Sequence, residues 1–399
     1  MRFVRALTIL MTVMVLAPNS WAGTEKVLHN FLGGSDGSEP ADVGRLARDK
    51  SGNLYGTTQG GGTCGRGTVF QLSKSHGDWT ETVLYSFCGS DGDNPVAGVI
   101  LDSSDNIYGT TKFGGGCGTV FKLSSSTLTN LYSFTCGNDG GMPDAGVILD
   151  KNGNLYGTTQ LYGAFGNGNG GGVAYEISGS GAFSVIYTFC SISGCADGNG
   201  PDAGLVMDGA IYGTTTRGGE NPCGCGTVFK LSQSRNGWVE TVLHSFSGRS
   251  DDGADPTFAS LTPGTQTVGG KKEGVLFGVT AGGGPSGLGT VFMMVKSTSE
   301  FTLLHSFAGP DGAAPFGTLA IRKGILFGTT YNGGVSGNGT VFELTQNNDT
   351  WTESVVYGFS GGSDGGEPNS GVVADSKGNL YGVTGSGGFG QGVAYQVTP

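Results

Sequence analysis

Gly153-Asn154-Leu155-Tyr156-Gly157-Thr158-Thr159, a few residues after Gly146-Val147-Ile148-Leu149-Asp150, is the stretch that decides the fold of this chain. Its Tyr-Gly-Thr-Thr core recurs at Tyr55, Tyr108, Tyr156 and Tyr212. Altered copies follow as Phe277-Gly278-Val279-Thr280, Phe327-Gly328-Thr329-Thr330 and Tyr381-Gly382-Val383-Thr384. The spacings between these aromatics are 53, 48, 56, 65, 50 and 54 residues, the mark of a repeat architecture.

Each repeat holds four short apolar runs, clearest at Ala97 to Asp102, Asn106 to Thr111, Thr119 to Leu123 and Leu128 to Phe134. They are rich in Val, Ile, Tyr, Phe and Thr and bounded by Gly, Asp, Asn or Ser, which predicts four strands, A to D. The A–B link Asp-x-x-Gly-Asn, as in Asp150 to Asn154, is a tight hairpin turn. Strand C reads Gly-Thr-Val-Phe from Gly67, Gly118, Gly226, Gly289 and Gly339, and Gly-Val-Ala-Tyr from Gly172 and Gly392. All seven D–A links carry Asp-Gly-x-x-Pro, beginning at Asp36, Asp91, Asp139, Asp197, Asp252, Asp311 and Asp364. Proline has no donor and marks the stop before strand A.

Seven four-stranded units predict an all-β, seven-bladed propeller occupying 23–399 as a single domain. The ends of the chain add a closure. Lys26-Val27-Leu28-His29-Asn30-Phe31 matches strand D, while the last repeat stops after strand C at Val393 to Val397. Residues 25–31 are therefore expected to complete the last blade and remove a free edge. Blade 5 departs from the others: Thr262 to Glu273, with Lys271 and Lys272, reads as an exposed insertion between its A and B strands.

Arg2 and Arg5, the apolar run Ala6 to Ala17 and Ser20-Trp21-Ala22 form an export signal expected to be cleaved after Ala22. Cleavage would move the net charge from −11 to −13, so nucleic acid is a poor partner. No later segment is long and apolar enough to anchor the chain by crossing a membrane. The mature protein is expected to be a monomer, secreted, periplasmic or on the outer surface.

Eight cysteines accompany the export signal and favour disulfides. Cys64, Cys117, Cys223 and Cys225 fall in B–C loops, and Cys88, Cys136, Cys190 and Cys195 in D–A loops. Both loop classes of a four-stranded meander open on one face, so Cys64–Cys88 and Cys117–Cys136 are the first pairings. Cys190 and Cys195 then pair with Cys223 and Cys225, or form a local bridge. A zinc site lacks the usual partner motif.

Catalytic clusters are not visible. His29, His244 and His305 occupy the strand-D place held by tyrosine in other blades, and His76 is alone in a turn, so no Ser-His-Asp arrangement is placed. Trp79, Trp238 and Trp351 share one position at the start of strand D, which points to packing. The seven loop aspartates, Asp36, Asp91, Asp139, Asp197, Asp252, Asp311 and Asp364, are turn caps or weak calcium ligands, one carboxylate per loop falling short of the six to eight oxygens calcium takes. No other cofactor is expected.

The phrase Ala145-Gly146-Val147-Ile148-Leu149-Asp150 with Gly153 to Thr159, and Gly118-Thr119-Val120-Phe121-Lys122-Leu123, resembles the GloVer tandem-repeat family of exported bacterial proteins with a choice of C-terminal anchors. The A and B phrases are also similar to the NHL type of propeller repeat. The resemblance spans 25–397 and implies export and surface association, but no activity. Only Thr398 and Pro399 follow Val397, so an anchoring tail is not expected. The leading expectation is a binding or structural module for glycan or a cell-surface protein, rather than an enzyme. The alternative is a polysaccharide lyase or glycoside hydrolase. Nonrepeated acidic or basic residues converging on one pocket would favour the enzyme, and a flat repetitive face the binder.

Overall fold

The computed structural model describes residues 23–40, 43–165, 170–348 and 350–399; the expected export signal lies outside them. Seven antiparallel sheets form a ring, each of four strands, with Ser38–Pro40 added as a fifth in blade 1. In blade 2, strands Ile100–Leu101, Ile107–Thr111, Thr119–Ser124 and Thr127–Ser133 lie side by side in chain order. Strands A to D of the other blades follow the same order from the axis outward. The last blade contains Val373–Ala374, Leu380–Thr384 and Val393–Thr398, and its outer strand is Thr24–Asn30. Thr24 opposes Thr398 and Asn30 opposes Val393, so the expected closure is present.

Each part of the repeated phrase has a packing task. Tyr55 donates its hydroxyl to the A–B turn carboxylate Asp49 at 3.1 Å, and Tyr108 and Tyr381 do the same to Asp102 and Asp375. A Cβ on Gly56 would lie 2.7 Å from the Phe70 ring, and one on Gly109 2.6 Å from Phe121. Glycine is required there because the strand-C aromatic crosses directly over strand B. The first threonine ties neighbouring blades, as Thr57 Oγ1 donates to the Ala97 carbonyl at 2.7 Å. The second shares a 2.8 Å hydrogen bond with the strand-C threonine of its own blade, Thr58 with Thr68.

The core sits between blades. The phenylalanine that ends strand D packs edge-on against the strand-C aromatic of the next blade: Phe87 on Phe121 at 5.2 Å, Phe134 on Tyr175 at 5.2 Å, Phe189 on Phe229 at 4.9 Å. Phe246 on Phe292, Phe307 on Phe342 and Phe359 on Tyr395 repeat the contact. The three tryptophans are packing residues, each against the strand-B aromatic of the preceding blade: Trp79 on Tyr381, Trp238 on Tyr156 and Trp351 on Phe277.

Blade 5 differs from expectation. Thr262–Val268 is strand A itself, lengthened and paired residue by residue with Lys271–Thr280. The extra residues extend a hairpin with Gly269 and Gly270 at its tip, and the alternating side chains of Thr262–Val268 sustain the ladder.

Candidate active site on the loop face

D–A and B–C loops do share one face, as bridges between them show: Asp93 with Phe113, Gly141 with Leu161 and Ala313 with Asn332. The residue before each loop proline is left-handed, at φ 54° for Glu39, 55° for Asn94 and 55° for Glu367. This conformation lets its N–H bond to the B–C loop of the preceding blade: Glu39 to the Gln391 carbonyl at 3.1 Å, Glu367 to Asn338 at 2.9 Å. A strained backbone held by its surroundings is a common setting for function. The side chains presented here change from blade to blade.

On one side they form a pocket with a cavity volume of about 440 Å³, lined by Glu39, Gln59, Phe258, Phe316, Tyr331, Glu367 and Asn369. Phe258 and Phe316 stand edge to face at 5.6 Å, and Phe316 lies 5.3 Å from Tyr331. The Tyr331 hydroxyl donates to Glu367 Oε2 at 3.2 Å. Phe258 also packs on Val43, Ala97 and Ala145. Blade 5 adjoins none of blades 1, 2 and 3, so this contact crosses the ring axis.

Beyond Phe258, beside Ala145, are two buried carboxylates, Asp144 and Asp202. Lys112 Nζ reaches Asp144 Oδ1 at 3.0 Å. Thr216 Oγ1 donates to Asp202. Burial raises both pKa values, and repulsion from Asp144 adds to the rise that takes Asp202 to about 6. Both follow the loop proline, at the place held by Val96 and Phe316 in other blades.

The seven loop aspartates do not come together. Each is bound within its own loop and to the strand-D aromatic. Asp91 accepts from the Tyr85 hydroxyl at 2.6 Å and the Cys88 N–H at 2.9 Å, and Asp364 accepts from Tyr357 and the Ser360 N–H. Asp139 and Asp197 repeat this with Tyr132 and Tyr187. In Asp36, Asp252 and Asp311 the partner is His29, His244 or His305, at 3.1, 3.0 and 2.9 Å. The next blade adds a glutamate at four of the junctions. Burial, reinforced by the neighbouring aspartate, pushes Glu25, Glu81 and Glu240 up to about 7 and Glu353 to about 8. Among the described residues two sets, His29–Asp36–Glu81 and His305–Asp311–Glu353, place one ligand atom each within 4.8 Å of one another and could hold a divalent ion.

The disulfides frame the same face. Cys64–Cys88 and Cys117–Cys136 join B–C to D–A loops with Cα separations of 5.1 and 5.4 Å, and Cys190–Cys195 and Cys223–Cys225 are local.

Sequence reasoning missed Glu39, Glu367, Phe258, Phe316, Tyr331, Asp144 and Asp202. A signal was present. Aligning the seven Asp-Gly-x-x-Pro phrases shows one invariant frame with unlike residues on either side of the proline, among them Glu39, Met142 and Glu367 before it and Asp144, Phe316 and Asn369 after it.

Comparison with known proteins gives a family and a fold. Residues 12–225 and 262–399 match the Gloeobacter/Verrucomicrobia repeat. No curated protein matches. An ancestral GH74 enzyme superposes with a TM-score of 0.57 at 13% identity over 91% of this chain and 48% of its own. The GH74 enzyme of Niastella koreensis gives 0.46 at 18% identity over 82% and 47%, and an oligogalacturonate lyase in complex with manganese 0.49 at 10% over 95% and 98%. The chain thus spans about half the length of the GH74 enzymes. Among the described residues no helix is long and apolar enough to cross a membrane.

These findings correct the expectation that the chain is not an enzyme. An ancestral GH74 enzyme shares the fold, two His–Asp–Glu sets among the described residues could bind metal, and the nonrepeated acids Glu39 and Glu367 converge on one pocket. The sequence reading found no catalytic cluster because the nonrepeated acids lie far apart along the chain and meet only in the folded ring.

Proposed function

The chain belongs to the Gloeobacter/Verrucomicrobia repeat family, and for this member we propose a glycoside hydrolase acting on a neutral polysaccharide, with the aromatic pocket on the loop face as its site. The observation that carries the reading is the meeting of Glu39 and Glu367 with Phe258, Phe316 and Tyr331 in one pocket. Sugar rings stack on aromatic faces, and glycosidic cleavage needs two carboxyl groups. Glu367, fixed by the Tyr331 hydroxyl, is assigned as base or nucleophile, and Glu39 across the pocket as acid. The fold shared with an ancestral GH74 enzyme supports the choice of a glycoside hydrolase.

A lyase acting on acidic glycan is disfavoured. It needs a cation to neutralise the substrate carboxylate, and no Lys, Arg or His is among the described residues that line the pocket. The His–Asp–Glu sets, which include the calcium candidates Asp36 and Asp311, would take a divalent ion such as calcium with further oxygens completing its shell. Export by residues 1–22 and a single catalytic domain over 23–399 complete the proposal.

Reducing-end assays on a panel of neutral β-glucans, xylans and arabinans test it. Turnover is expected on one of them, and Glu39→Gln and Glu367→Gln should each lower kcat by about 10²- to 10⁴-fold with an unchanged melting midpoint. Saturable glycan binding with no turnover, or full activity in both variants, would refute the assignment.

A further inference from the structure

The seven A strands reach the ring axis at one register position, two residues before the partner of the strand-B aromatic. Its occupants are Arg45, Gly98, Gly146, Gly204, Ser260, Thr318 and Gly371. Six are small because the inner strands touch. The Gly98 N–H donates to the Val43 carbonyl at 2.8 Å, the Gly371 N–H to the Gly44 carbonyl at 2.8 Å, and a Cβ on Gly146 would lie 2.9 Å from the Gly98 carbonyl. The seventh carries the longest cationic side chain available.

The strands enclose an axial cavity of about 580 Å³ that reaches the A–B turn face, where Arg48, Leu101, Pro263 and Ile321 stand. Phe258 packs on Val43, Ala97 and Ala145 and so stands between this cavity and the loop-face pocket. The wall is largely apolar, with Ile100, Ile148, Val206 and Val373 prominent, and Ser260, Thr262 and Thr318 add hydroxyls. Arg45 and Arg48 are the charged residues on it, with no acid among the described lining residues. Among the described residues Arg45 makes no side-chain hydrogen bond or ion pair. Water reaches its side chain through the cavity, yet protein surrounds the guanidinium, and this desolvation draws its pKa down. Arginine nonetheless stays charged. An exposed guanidinium with no protein partner beside apolar walls is open to an incoming anion, which its planar fork grips in two parallel hydrogen bonds. The volume lies in the range of small-molecule sites.

We propose that the axial cavity binds one small organic anion, a monocarboxylate with an apolar body, its carboxylate on Arg45 and its body against Ile100, Ile148, Val206 and Val373. This site is separate from the glycan pocket in both residues and face. Its hydroxyls, Ser260, Thr262 and Thr318, have no base beside them among the described lining residues, so it binds without converting.

Isothermal titration of the purified mature chain with hexanoate and benzoate, and with the matched alcohols 1-hexanol and benzyl alcohol, tests the proposal. One carboxylate per chain should bind, and the alcohol should bind at least about tenfold more weakly. Arg45→Met, which keeps length and removes charge, should lose at least about tenfold in affinity, and Arg45→Lys less. Val206→Trp fills the cavity from blade 4 with Arg45 intact and should also abolish binding, an independent reading should Arg45→Met fail to fold. Glu39→Gln should leave carboxylate binding unchanged, which separates this site from the hydrolase assignment. Absence of saturable carboxylate binding, or equal affinity in Arg45→Met, would overturn the proposal.

Discussion

Phe31 and Phe70 stand edge to face with their centroids 5.2 Å apart, although 39 positions separate them and they belong to different blades. The same geometry recurs at the other six junctions, so the contact between the last blade and the first is no weaker than those within the chain. Phe31 is fully buried. Phe31→Ala should cost about 3–5 kcal/mol. Deleting residues 23–31 should lower the melting midpoint sharply, since it also strips the outer strand from Val393–Thr398. Thermal unfolding followed by circular dichroism checks both, and an unchanged midpoint in the deletion would mean that closure contributes nothing.

Stability should peak in mildly acidic solution. Glu25, Glu81, Glu240 and Glu353 have folded pKa values of about 7 to 8, above the ordinary 4.5, so the folded state holds their protons more tightly than the unfolded chain. Their stabilisation is full below about pH 4.5 and is lost as pH rises through 7 to 8. The turn aspartates Asp49, Asp102, Asp150 and Asp375 are held low by hydrogen bonds from Asn53, Asn106, Asn154 and Asn379, and their contribution is lost only as pH falls below the usual carboxylate range. The melting midpoint is expected to fall between pH 5.5 and 8.5. Glu353→Gln should remove part of that fall, about 1–2 kcal/mol once solvent access at the rim is allowed for. A parallel pH profile in the variant would contradict this.

Non-reducing peptide mapping should recover Cys64 with Cys88 and Cys117 with Cys136. These bridges close 24 and 19 positions of chain, and replacing either pair by serine should cost about 2–4 kcal/mol. Cys223–Cys225 spans 2 positions and restrains little of the unfolded chain, so its removal should hardly move the melting midpoint. Comparable losses for all the bridges would point to strain or packing instead.

Gly213→Ala places a methyl group against the Phe229 ring and Leu205 inside a fully packed blade. A loss of about 1–3 kcal/mol is expected, from overpacking. Gly237, with nothing near its Cβ, takes φ of 109°, so alanine there should cost through backbone strain alone. Urea unfolding of the two variants separates the mechanisms, because only the first should be relieved by Phe229→Leu.

The repeated phrase determined the architecture by itself. A period-2 strand pattern, an Asp turn, a glycine under an aromatic and paired threonines are local or nearest-neighbour requirements, and they recur in every copy. The missing strand D at Val397 and the spare one at Lys26 revealed the closure for the same reason. The pairings Cys64–Cys88 and Cys117–Cys136 were legible from loop classes alone. The candidate sites were not. Phe258 meets Ala145, Glu39 shares a pocket with Glu367, and Arg45 stands among glycines, because a closed ring brings residues hundreds of positions apart to one axis. Sequence spacing carries no record of that convergence. Only the tertiary structure decided which of the unlike residues beside each proline face one another, since their neighbours are set by the order of blades around the axis and not by the order of residues along the chain.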